Sequence, residues 1–196
     1  MRAASYVRRR LLATTFVTAL IAACAPLQPL SGSAAVVRTI SPYFELEGRL
    51  SATDGERAAN GQIEWRHAQS ADQWTAYSPL GQIVARLDSN AAGAELMLAD
   101  GRRQRAASAS ELLPALIGVD LPLQRLPGWI QASPQADAEV RSLDEVGRPS
   151  LVIDQGWRID YTEYLNPAAD ALPRRLEISR GDARVRLVID RWTLQP

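Results

Sequence analysis

Apolar and polar residues alternate with period two from residue 44 onward. In FELEGRLSA, Phe44, Leu46, Gly48, Leu50 and Ala52 fall on one face, and Glu45, Glu47, Arg49 and Ser51 on the other. That is the pattern of a half-buried strand, because successive side chains point to opposite sides of a sheet. Ala59, Gly61, Ile63 and Trp65 alternate with Asn60, Gln62, Glu64 and Arg66 in a second strand. Trp74 and Ala76 mark a third, Ile83, Ala85 and Leu87 a fourth, and Ala94, Leu96 and Leu98 a fifth. The turn Ala99-Asp100-Gly101-Arg102 then leads into a short sixth strand over 103–107.

The period changes at residue 108. Ser108 and Glu111 have the spacing of a capping box. Leu112, Leu113, Leu116 and Ile117 follow at helical spacing, and Gly118 is a natural stop. A second helical piece after Pro122 carries Leu123, Leu126, Trp129 and Ile130 on one side, with Pro127 inside it as a break or kink. Alternation resumes over 139–146, 150–154, 157–164, 174–180 and 184–192. The last two strands face each other across Arg180-Gly181-Asp182, and a Gly-Asp pair between alternating strands is read as a hairpin turn. About eleven short strands, interrupted midway by one helical segment, predict a mainly β chain. Its antiparallel sheet curls toward a barrel, with helices laid across one opening.

Residues before 42 follow another pattern. MRAASYVRRR holds four arginines and no acid, and residues 11–23 carry no charge. A basic head, a short apolar run and small residues at its end make a secretory signal peptide. The run is too short to span a bilayer, which takes roughly 20 apolar residues. It ends in Ile21-Ala22-Ala23-Cys24, and Cys24 is the only cysteine of the 196 residues. A lone thiol cannot form a disulfide within its chain. Residues 25–41, APLQPLSGSAAVVRTIS, are rich in Pro, Ser, Gly and Ala and read as a tether whose later part packs on the domain. The expected organisation is a leader over 1–23, an N-terminal tether over 24–41 and one domain over 42–196, with the helical segment at 108–131.

Charge and composition narrow the chemistry. The leader takes four of the 22 basic residues and none of the 22 acids, so the rest of the chain has a formal charge of −4. No basic stripe offers phosphate neutralisation, which argues against nucleic acid. Every basic residue is arginine, and the absence of lysine removes Schiff-base and P-loop chemistry. One histidine, His67, cannot build a Cys/His metal centre, and its place after the second strand reads as surface near a turn. No G-x-S-x-G elbow is present, so no catalytic residue is assigned and no cofactor is expected.

Several pieces together carry a family resemblance. They are F-E-L-E-G-R-L at 44–50, I-E-W at 63–65, S-P-L-G at 78–81, L-P-L-x-x-L-x-x-W-I at 121–130, Q-G-W-R-I-D-Y at 155–161, and Trp192 near the C-terminus. With Ile21-Ala22-Ala23-Cys24, which resembles a bacterial lipobox, the chain resembles the LolB family of outer-membrane lipoproteins. The resemblance implies cleavage before Cys24 and acylation of that residue. It also implies an incomplete β-barrel with a helical lid over an apolar cavity. The implied role is a lipid-anchored monomer on the periplasmic face of the outer membrane. It takes lipoproteins from the carrier LolA and inserts them into the inner leaflet, touching cargo acyl chains and membrane lipid.

The same resemblance assigns the site. Phe44, Leu46, Leu50, Ile63, Trp65, Trp74, Ile83, Leu96, Leu98, Trp157, Ile159 and Tyr161 become the cavity lining. Leu112, Leu113, Leu116, Ile117, Leu126, Trp129 and Ile130 become the lid. Pro79, Leu80 and Gly81 become a loop whose apolar tip meets the membrane. On pattern alone these apolar faces would pack as an ordinary closed core. Two other readings stand beside the acceptor: a structural outer-membrane lipoprotein with a filled barrel, and an envelope hydrolase.

Overall fold

The computed structural model describes residues 35–194. The leader and Cys24 therefore lie outside the described residues. Eleven strands form one antiparallel sheet: β1 (Phe44–Thr53), β2 (Ala58–Ala68), β3 (Ala71–Tyr77), β4 (Ile83–Asn90), β5 (Gly93–Leu98), β6 (Arg103–Ala106), β7 (Glu139–Leu143), β8 (Pro149–Asp154), β9 (Trp157–Tyr164), β10 (Pro173–Arg180) and β11 (Ala183–Leu194). Their order is β6-β5-β4-β3-β2-β1-β11-β10-β9-β8-β7. The first and last strands thus meet in the middle of the sheet, with Leu50 opposite Leu187. Its two free edges, β6 and β7, are consecutive strands in the chain. The helical segment between them is what connects one edge of the open sheet to the other.

Two short helices make up that segment, α1 (Ala109–Ile117) and α2 (Leu126–Ile130). Gly118 ends α1 at φ 76°, its N–H donating to the Pro114 carbonyl at 2.9 Å. The expected capping box is not made. The Ser108 hydroxyl donates to the Glu111 carboxylate at 3.3 Å and caps no backbone N–H. Nor does Pro127 break a helix. α2 begins at Leu126, so the proline sits in its first turn, where its missing N–H costs no helical bond.

The concave face of the sheet holds the core. Phe44 packs edge-on against Trp65 at 5.0 Å and Trp192 at 5.5 Å, and Trp65 lies 5.5 Å from Trp74. The convex face carries cross-strand ion pairs such as Arg49–Asp190 and Arg186–Glu177. Strand β7 ends at Leu143 and does not run on to Val146. Asp144 instead accepts the N–H groups of Val146 and Arg148 and folds 144–148 into a turn. The end of the expected tether is also fixed to the domain. Val36 donates to the Gly147 carbonyl at 2.9 Å, and Arg38 reaches the carbonyls of Ala169, Asp170 and Ala171. Ser41 and Gln131 exchange two bonds, at 2.9 and 3.2 Å.

Candidate functional site: an apolar cavity and a leucine-tipped hairpin

A cavity of about 450 Å³ opens between α1 and the concave face of β1–β3, within the range of ligand pockets, roughly 300–1,000 Å³. Its walls are mostly apolar. Leu50, Ile63, Trp65 and Trp74 line it from the sheet, and Leu113, Leu116, Ile117, Leu126 and Ile130 from the helical segment. The space exists because small residues occupy inward positions on β2 and β3. Ala59, Gly61 and Ala76 take places where larger side chains would fill it. At Gly61 even a methyl group would stand 2.7 Å from the Tyr77 carbonyl oxygen. The wall also includes Ala58, Tyr77, Val84, Leu121, Ile178, Val185 and Leu187, which were not among the expected lining residues.

The other expected lining residues are solid core. Phe44, Leu46, Leu96, Trp157, Ile159 and Tyr161 are buried and do not reach the cavity, and Leu98 packs against them half-buried. Leu112 is likewise buried beneath α1 and off the cavity. Ile83 is a correction: it is 46% exposed, and Val84 lines the cavity in its place. The cause is a register shift between Ala76 and Tyr77, which leaves Ala76 opposite Ala85 but Tyr77 opposite Ile83. A single extra residue on one strand reverses which side chain faces inward.

Trp129 is also no cavity residue. It is fully buried, and its indole N–H donates to Asp154 Oδ2 at 2.7 Å. The Tyr161 hydroxyl donates to the Trp129 carbonyl at 2.7 Å. Burial pushes the Tyr161 phenol well above its ordinary pKa, so it stays a donor. Asp154, 2% exposed, was not found from sequence. Nothing in V-I-D-Q-G-W marks it, since its burial is created by α2 from 25 residues away in the chain.

Leu80 stands at the tip of the β3–β4 connection and is 88% exposed. The connection closes through Ser78 N–H to the Gln82 carbonyl at 2.8 Å and Gly81 N–H to the Ser78 carbonyl at 2.9 Å. Pro79 suits the first central position of such a turn, and Gly81 supplies the left-handed conformation at φ 78°. Leu80 is left pointing outward between them. Tyr77 and Val84, which flank the connection, both line the cavity. The exposed leucine thus tips a hairpin whose two flanking residues, Tyr77 and Val84, belong to the cavity wall.

His67 is not the surface residue its position implied. Its ring stacks on Phe44 at 4.8 Å, and its Nδ1 lies 2.7 Å from Asp72 Oδ1. Trp65 Nε1 donates to the same oxygen at 2.8 Å. Among the described residues, no three His, Cys, Asp or Glu side chains stand together as a metal site. No described helix is long and apolar enough to cross a membrane.

A family profile described as outer membrane lipoprotein LolB matches residues 42–192. The chain is 53% identical over 176 residues to a protein from Azoarcus sp. (strain BH72) described as outer-membrane lipoprotein LolB. That match covers 90% of this chain and 91% of the other. A protein of the same description from Thiobacillus denitrificans is 35% identical over 189 residues, covering 96% of this chain and 100% of the other. Among solved structures, a LolA superfamily protein from Nitrosomonas europaea aligns with a TM-score of 0.43 at 11% identity, covering 82% and 89% of the two chains.

Proposed function

The chain belongs to the outer-membrane lipoprotein LolB family, and from that premise we propose that it is the membrane-anchored acceptor of a lipoprotein relay. It receives acylated proteins from the soluble carrier LolA and passes them into the inner leaflet of the outer membrane. Acyl chains set the physical problem. Each buried methylene is worth ~0.8 kcal/mol, so a chain of ~14 costs roughly 11 kcal/mol to expose to water. An acceptor must offer an apolar concavity before the carrier lets go. The 450 Å³ cavity, whose wall includes Tyr77 and Val84 on either side of the Leu80 hairpin, is the observation that carries this reading. A structural lipoprotein with a filled barrel would have no use for such a space.

The roles divide accordingly. Cys24, acylated, holds the protein at the membrane. Leu50, Ile63, Trp74, Leu116 and Ile130 are among the side chains that would contact cargo acyl chains. Pro79 and Gly81 hold Leu80 out as the group that enters the bilayer. No step needs a nucleophile or a general base. Direction comes from affinity: the cavity must bind acyl chains better than the carrier does, and the bilayer better still.

The test separates acceptance from insertion. Leu80→Asn in residues 25–196 should still take cargo from loaded carrier, while insertion of that cargo into liposomes falls at least about tenfold, because a polar tip no longer enters the interface. Undiminished insertion would remove Leu80 from the mechanism. Loss of acceptance would make it a carrier or cargo contact instead.

A further inference from the structure

The helical segment contains two parts that are held to the sheet in different ways. The stretch from Arg125 to Ser133 is bonded by polar groups to strands β8 and β9 and to the segments around residues 38–41 and 137. Trp129 Nε1 donates to Asp154 Oδ2 on β8, and Tyr161 on β9 donates to the Trp129 carbonyl. Gln131 exchanges two bonds with Ser41, and the Ser133 hydroxyl donates to the Arg38 carbonyl. Arg125 stands 3.5 Å from Asp154 Oδ1 and makes two bonds to Asp137, at 2.6 and 2.7 Å.

α1 has none of this. Among the described residues, its one side-chain hydrogen bond is local, from the flanking Ser108 to Glu111. It lies on the sheet through Leu112, Leu113, Leu116 and Ile117, and the last three face the cavity. Non-helical residues bound it at both ends. Ser108 is extended at φ −148°, Gly118 is left-handed at φ 76°, and Pro114 removes one backbone bond inside the helix.

Resting on the acceptor reading above, we propose that α1 alone is the gate through which an acyl chain enters, and that Asp154 is the positioning residue that keeps α2 as a fixed wall. The two displacements differ in what replaces the lost contacts. An acyl chain can restore every contact α1 gives up, because those contacts are apolar and without direction. It can restore none of those at α2. Lifting α2 would strand the Trp129 N–H, the Asp154 carboxylate and the Tyr161 hydroxyl with no hydrogen-bonding partner in the entering ligand.

Two measurements on residues 25–196, which contain no cysteine, test this. The first is hydrogen exchange on the unaltered domain. Leu116 and Ile117 should exchange at least about 100-fold faster than Trp129 and Ser133, as for local opening of one element. In Asp154→Asn the exchange at Trp129 and Ser133 should rise while that at Leu116 and Ile117 stays the same. A general loss of stability would raise all four together. The second is a staple. A Cβ placed on Gly118 would lie 4.0 Å from Arg57 Cβ, within the range a disulfide spans, about 3.5–4.5 Å. Arg57→Cys with Gly118→Cys, oxidised, should accept cargo at least about tenfold more slowly, and reduction should restore the rate. Equal exchange in α1 and α2, or undiminished acceptance by the oxidised protein, would overturn the proposal. If the unaltered domain takes no cargo, the acceptor reading fails, while the exchange rates still decide which helix opens.

Discussion

Leu80 is exposed because of its neighbours and not because of its own chemistry. A leucine at a turn tip is ordinarily folded back toward apolar surface; here Pro79 and the left-handed Gly81 fix the turn so that it cannot be. The turn was readable in Ser78-Pro79-Leu80-Gly81, whereas the exposure of its leucine was implied only by the family resemblance. Asp54 is a second residue whose role is set by local bonding. Backbone N–H from Arg57, then the Arg57 guanidinium and the Glu56 N–H, hold its carboxyl at about 2. An ordinary aspartate lies near 3.9. The unfolded chain therefore takes up this proton first, so the contribution to stability is complete above pH ~4 and is lost as pH falls through about 2. Asp54→Asn should unfold at lower temperature than the parent at pH 6, and the gap should close as pH approaches 2; a gap independent of pH would show that the charge is not what the turn uses. Asp154 and His67 were beyond the sequence. Each is a polar residue covered by a partner that pattern does not reveal: α2 buries Asp154, and the Phe44 ring stacks on the half-buried His67.

At the scale of elements, alternation and turn residues located all eleven strands, most of which have a wet face and a dry face; the edge strands β6 and β7 are exposed on both. α1 was legible from its leucine spacing and the glycine that ends it. The failures all come from details smaller than an element. The shift between Ala76 and Tyr77 exchanged Val84 for Ile83, although the alternation on either side is unbroken. Pro127 was read as a break because the helix was expected to begin just after Pro122, whereas α2 begins at Leu126. More important, a period of two says which residues face inward and not whether anything fills the space they face. That is why Leu46, Trp157 and Ile159 were grouped with Leu50 and Ile63, though only the latter two border the cavity. Filling the space should separate folding from function. Ala76 lines the cavity and is half-buried, so Ala76→Trp should leave the melting temperature within a few degrees and reduce cargo acceptance at least about tenfold. A variant that melts far lower would mean that the position is packed, and full acceptance would place the acyl chain elsewhere.

The described domain is an open sheet whose edges are joined by a partly fastened helical segment, built around one half that is solid and one half that is hollow. The solid half, with Trp129, Trp157, Ile159 and Tyr161, gives the fold its stability. The hollow half, under α1, gives it room for a ligand, and Tyr77 and Val84 of its wall flank the hairpin of Leu80. This division makes a single demand on function: acyl chains must leave the carrier for the cavity. The measurement that tests it most directly mixes residues 25–196 with LolA carrying a lipoprotein, separates the two proteins, and asks which of them holds the cargo. The account predicts that the cargo is found with this domain. Cargo remaining wholly on the carrier, with the domain shown to be folded, would contradict it.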